Sequence, residues 1–235
     1  MAVILPIEEP WTSQPQVATF APSAIVAILP VADSSAKIFD YSGRSGSLSF
    51  LGSAPSGGVV TTNGYGKGLK LHPSGGANGI VGITCPQVFN SFGDNFSVVA
   101  GGKVTDTAYI GWASRDIGPN IFGFAHTSST LAGYYADTNV NTATATISGL
   151  SVTVGSYQRC AFRKSGAKID VFDWMSKKTA TATNTASGFY SGSSGKPVIG
   201  NLSVNELNFW FLIPGSASDG QVWGWLDNPW QIFAP

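Results

Sequence analysis

No stretch of this chain between Ile25 and Ile213 holds one hydrophobic period for longer than a short run, and residues that favour turns separate the runs. The apolar stretches are Ala24 to Leu29, Gly68 to Leu71, Ile80 to Ile83, Phe96 to Ala100, Tyr109 to Trp112, Ile121 to Ala125, Leu131 to Tyr135 and Ala143 to Ile147. Gln158 to Arg163, Lys168 to Asp173, Lys178 to Thr183, Pro197 to Gly200 and Leu207 to Ile213 complete the series. Such runs, repeating about every 10 to 14 residues with glycine, serine, asparagine or proline between them, mark an all-β sandwich or barrel. Lys178-Thr-Ala-Thr-Ala-Thr183 alternates strictly, as a half-exposed surface strand does. Asp170 and Asp173 are three apart, so on a regular strand they face opposite sides.

Both ends depart from this pattern. Pro6, Pro10 and Pro15 forbid a long helix over residues 1–20, which read as an extended arm ahead of one β-sandwich domain at 21–235. Trp11 is the large apolar group of that arm. Near the other end, Ser218-Asp-Gly-Gln221 has the form of a capping box, and Val222, Trp225 and Leu226 mark one face of a short helix. Asp219 suits its first turn, and Pro229 ends it.

Charge narrows the function. Thirteen basic residues balance 13 acidic ones, and charged residues make up only 11% of the 235. A neutral chain lacks the electrostatic footprint for nucleic acid or an anionic membrane. Low charge also favours packing against neighbours, so an assembly is expected ahead of a free monomer. The first ten residues carry Glu8 and Glu9 and no basic stretch, so no secretory signal is expected, and Phe20 to Ala32 is too short to span a bilayer. Cys85 and Cys160 stand far apart, and with only His72 and His126 to join them they lack metal-finger spacing; they read as buried thiols in strands.

Enzymatic chemistry finds no support in the residues. The only glutamates are Glu8, Glu9 and Glu206, and no pair of carboxylates has the spacing that glycoside hydrolysis needs. No cofactor is expected. Calcium is the one ion weighed, because Asp94, Asp106, Asp116 and Asp137 with Asn95, Asn120 and Asn139 lie near loops; these types also form turns, and no ligand set is assigned. Sugar binding without metal needs a flat aromatic beside hydroxyls and amides. Trp112, Tyr134, Tyr135, Trp174 and Tyr190 are the stacking candidates, with Trp174 at an expected hairpin end. Trp11 and Trp230 are the attachment candidates.

In order along the chain, Asp40-Tyr-Ser-Gly43, Gly66-Lys-Gly-Leu-Lys-Leu71, Asn95-Phe-Ser-Val-Val99, Gln158 to Gly166 with Lys168 to Phe172, Lys196-Pro-Val-Ile-Gly200 and the ending Ser216 to Phe233 form a series. That series resembles the concanavalin A-like lectin/glucanase superfamily in its laminin-G-like form, as found in bacteriophage and prophage proteins. Pro10-Trp-Thr-Ser-Gln-Pro-Gln16 is similar to the leader of that phage group. Three positions depart from the family pattern: the usual tryptophan is replaced around Tyr157 and Gln158, Gln221-Val222 stands for a Glu-Ile pair, and the V-D-G turn is lost at Phe172-Asp173-Trp174. The last departure weakens any carry-over of carbohydrate or calcium chemistry. The resemblance implies a concanavalin A-like jelly-roll sandwich with an N-terminal arm and a short C-terminal helix. It implies a non-enzymatic structural protein of a virion, made in a host cytoplasm and joined to other phage proteins on the tail, baseplate or capsid surface, where the closed symmetry of such particles implies a homotrimer, with a dimer or a monomer as the alternatives. The alternative is a carbohydrate-binding adhesin that recognises host surface glycan.

Overall fold

The fold is described by a computed structural model, which covers residues 26–29, 39–40, 49–50, 59–63, 66–70, 83–84, 95–105, 110–115, 122–136, 142–183, 197–199, 206–229 and 232. The proposed arm at 1–20 and its boundary with the sandwich lie outside these residues.

The early strands are β1 (Val26–Leu29), β2 (Phe39–Asp40), β3 (Ser49–Phe50), β4 (Val59–Asn63), β5 (Gly66–Lys70) and β6 (Ile83–Thr84). There follow β7 (Asn95–Lys103), β8 (Ile110–Arg115), β9 (Phe122–His126), β10 (Thr130–Ala136) and β11 (Thr142–Ser148). The last strands are β12 (Tyr157–Ser165), β13 (Lys168–Asp173), β14 (Lys178–Thr183), β15 (Pro197–Ile199) and β16 (Glu206–Pro214), and one helix, α1 (Asp219–Asp227), comes after them. The chain is all-β, as the spacing of its apolar runs requires. The strands β2, β3 and β4 have no counterpart in the sequence reading.

Two antiparallel sheets face each other. The larger runs β14-β13-β12-β7-β16-β1-β2, with β5 added on β16 and β4 on β5; the smaller runs β11-β10-β9-β8-β15-β6-β3. Between them lies a core of Phe96, Val98, Ala100, Trp112, Phe124, Leu131, Tyr135, Phe162, Val171, Trp210 and Leu212, among others. Gly133 on β10 lets this core close, since a Cβ there would sit 2.4 Å from Val171 Cγ1 and 2.8 Å from Phe162 Cδ2.

The larger sheet is buried on its other face as well. A second cluster joins Val99, Ala161, Phe172, Phe209, Phe211 and Ile213 to Val222 and Leu226 of α1 and to Ile232. This explains why β7, β12 and β16 are buried without alternation, as strands covered on both sides are. A bulge at Asn208 makes the arrangement work on β16. The register shifts between Leu207 and Phe209, so Leu207, Trp210 and Leu212 face the inner core while Phe209, Phe211 and Ile213 face the helix.

The capping box forms as its residues require: Ser218 Oγ accepts from Gln221 N at 3.2 Å, and Gln221 Oε1 accepts from Ser218 N at 2.9 Å. Two arginines of β12 then hold the helix at both ends. Arg163 donates to Ala217 O at 2.9 Å and pairs with Asp219 at 2.7 Å and with Asp170 at 2.6 Å. Arg159 donates Nη1 to Leu226 O at 2.8 Å and Asp227 O at 2.9 Å. The lengths match: four strand residues span about 13.6 Å, and the nine residues of α1 span about 13.5 Å. A cation at the helix C-terminus also opposes the end of its dipole.

Candidate functional site

A directed chain of hydrogen bonds crosses the core. Trp210 Nε1 donates to Trp112 O at 3.1 Å, and Trp112 Nε1 donates to His126 Nδ1 at 2.8 Å. His126 Nε2 lies 3.0 Å from Asp173 Oδ1, and the backbone N–H of Ser176 donates to Asp173 Oδ2 at 2.7 Å. An indole N–H only donates, so His126 Nδ1 is the acceptor and the ring proton sits on Nε2, facing Asp173. His126 is 0% exposed and Asp173 1%. Burial, the largest single influence on Asp173, raises its pKa, but bonds from His126 and Ser176 outweigh it and hold the carboxyl below its ordinary value. Cys160 lies opposite Asp173 on β12. Burial first, and then the charge of Asp173, push its thiol well above the usual range. The thiol is thus protonated and shielded, and this polar chain ties the two sheets together.

Asp173 connects that chain to the surface. It caps the turn 174–177 between β13 and β14, in which Lys177 adopts φ 55, the left-handed region. Trp174 Nε1 and Lys177 Nζ both donate to Asp227 Oδ1, at 2.8 and 2.7 Å. These bonds, Lys177 first, lower the pKa of Asp227. Arg159 lies over the Trp174 ring at 4.7 Å, and Lys177 lies over Trp174 at 4.8 Å and Trp223 at 5.5 Å. Trp223 also meets Phe172 edge-on at 5.5 Å. At the tip, Met175 is 56% exposed. The loop carrying Val154, 64% exposed, lies at the same end, because it leads into β12 where that strand pairs with the end of β7. The result is a loop end where half-exposed indoles, an exposed methionine, a lysine and a carboxylate stand together.

The sequence-derived candidates separate under this geometry. Trp112 and Tyr135 are corrections: they are 1% and 0% exposed, and their rings fill the core and offer no open face. Trp174 sits at the hairpin end as expected, but cations overlie its ring. Tyr134, half-buried, lies on the outer face of the smaller sheet, on the far side from Tyr135. Tyr190, Trp11 and Trp230 lie outside the described residues, as do Cys85, His72, Asp94, Asp106, Asp116, Asp137, Asn120 and Asn139. Asn95 Oδ1 accepts from Gly166 N at 2.9 Å and so serves a turn. Among the described residues no group of three His, Cys, Asp or Glu side chains gathers as a metal site. The sequence reading missed the roles of His126, Arg159, Lys177, Trp223 and Asp227. They stand far apart in the chain, and only the β12–β13–β14 register and the seat of α1 bring them together.

No family model and no curated protein matches the chain. Solved structures do. The binding domain of botulinum neurotoxin DC, solved in complex with rat synaptotagmin II, aligns with a TM-score of 0.65 at 11% identity, over 88% of this chain and 52% of that one. The botulinum neurotoxin serotype C1 binding domain gives 0.63 at 12% identity, over 88% and 52%. The binding domain of Paraclostridial Mosquitocidal Protein 1 gives 0.60 at 9% identity, over 87% and 52%. This chain therefore spans about half the length of the domains it resembles, and at these identities the likeness is one of fold. These neighbours overturn the assignment to the concanavalin A-like proteins of phage: the fold is shared with binding domains of clostridial toxins, and nothing supports a virion role. The motifs misled because a D-x-S-G turn, alternating strands and a capped terminal helix are punctuation that many antiparallel sandwiches share.

Proposed function

We propose that this chain is a non-enzymatic binding module that recognises a glycan-bearing receptor on a cell surface, its two sheets wound as a jelly roll. The observation that carries the reading is the loop end, where Trp174, Met175 and Trp223 stand beside Lys177 and Asp227. Tryptophan, methionine and arginine are enriched where proteins recognise partners, and a few such anchors dominate binding. Here the anchors are pre-positioned, since Arg159, Asp227 and the Asp173-capped turn fix them before any partner arrives. The fold neighbours add support, being domains named for binding, one of them solved with synaptotagmin II.

The test is flow cytometry of the fluorescently labelled full chain on neuronal and insect cell lines, before and after glycosidase treatment. Trp223→Ala and Met175→Ser should each lower cell binding, the double variant by about tenfold or more, with thermal unfolding unchanged for Met175→Ser. Unchanged binding of a folded double variant would remove the loop end from the proposal.

A further inference from the structure

The larger sheet ends on β14, a strand of six residues held in unbroken register against β13. Among the described residues no other strand pairs with it, so its outer row of backbone N–H and C=O groups is a template for a further strand. The devices that blunt such an edge are missing. Lys178-Thr-Ala-Thr-Ala-Thr183 has no proline, no bulge and no charge after its first residue. That first residue is a lysine, but its Nζ reaches across to Ser148 O of β11, at 3.3 Å. Thr179, Thr181 and Thr183 are exposed, with Thr181 Oγ1 donating to Asp170 Oδ1, while Ala180 and Ala182 pack against the inner core. β11 ends the smaller sheet on the same side of the sandwich and lies beside β14. Whatever docks on β14 therefore meets the edges of both layers.

We infer that β14 pairs antiparallel with β14 of a second copy of this chain, across a two-fold axis at Thr181. That register sets Thr179 opposite Thr183 and Ala180 opposite Ala182, like with like on each face, as a self-complementary contact requires. Charge selects the direction. In-register parallel pairing would bring the two Lys178 side chains together, whereas the antiparallel arrangement sends them to opposite ends. The strand carries no acid to attract a cationic peptide, and the chain balances 13 basic residues with 13 acidic ones, so two copies meet without net repulsion. The turns 174–177 of the two copies also go to opposite ends. Each copy keeps its loop end exposed, and the dimer presents two of them. The pairing uses no loop-end residue and stands or falls apart from the receptor-binding reading.

Sedimentation equilibrium of the full chain across the micromolar range tests the inference. The wild type should approach twice the mass of one chain as its concentration rises. Thr179→Lys with Thr183→Lys sets lysine opposite lysine across the axis and should raise the dimer dissociation constant about tenfold or more. Thr179→Lys with Thr183→Glu sets lysine opposite glutamate and should bring that constant back toward the wild-type value. Both variants change exposed side chains, and thermal unfolding followed by circular dichroism checks that they fold. Met175→Ser should leave the mass unchanged. A wild type that stays monomeric throughout, or that forms a trimer, would overturn the inference. Undiminished association of the folded double-lysine variant would do the same, as would failure of the folded lysine–glutamate variant to recover the dimer.

Discussion

Asp173 serves two masters with one carboxylate: Oδ1 faces His126 in the core and Oδ2 holds the N–H of Ser176 in a surface turn. Asp173→Ala should therefore cost about 3 to 5 kcal/mol, because buried His126 and the part-buried N–H of Ser176 both lose their acceptor; urea unfolding at neutral pH measures this. Cys160 gives a second check. Its protonated, fully buried thiol should react with iodoacetamide far more slowly in the folded chain than in urea, as followed by peptide mass spectrometry. The opposite orientation of Asp170 and Asp173 was legible in their spacing: Asp170 meets Arg163 on the helix side and Asp173 meets His126 on the core side. The fate of the adjacent Tyr134 and Tyr135 was not. Strand alternation sends neighbours to opposite faces without saying which face is the core, and only the paired β9 shows Tyr134 lying against Gly123 on the outer face.

At the scale of elements, α1 is the clearest case of local sequence specifying structure. Its capping box and terminal proline were readable before any fold was known, and Ser218→Ala should cost about 1 kcal/mol in thermal or urea unfolding. What holds the helix in place was not readable, because Arg159 and Arg163 are ordinary strand cations until β12 lies beneath α1. The long central strands were legible as apolar runs, although the bulge at Asn208 that turns Phe209 and Phe211 toward the helix leaves no trace in periodicity. The strands at Phe39–Asp40 and Ser49–Phe50 are two residues long, too short for a period to register. The segment Val59–Asn63 is β-branched but lies among glycines that read as turns.

For the molecule as a whole, acid should loosen the fold through its paired carboxylates. Asp173 and Asp227 both titrate below their ordinary value. Their contribution is complete above pH of about 4 and is lost as the pH falls through the lowered values, with buried Asp173 carrying most of it and exposed Asp227 little. Urea midpoints at pH 7 and pH 3, compared between wild type and Asp173→Ala, should show a smaller drop in the variant. The order of the chain adds a consequence for how the molecule is made. The helix that covers Phe172, Phe209 and Phe211 comes after the sixteen strands found among the described residues, and Val222, Leu226 and Ile232 each contribute roughly 1.5 to 3 kcal/mol by burial. A nascent polypeptide must therefore carry an oily sheet face uncovered until Val222, Leu226 and Ile232 have left the ribosome. A product stopped after Gly215 should collect in the insoluble fraction of expressing cells, where the full chain does not, and co-expressed holdase chaperones should be found on the shortened form.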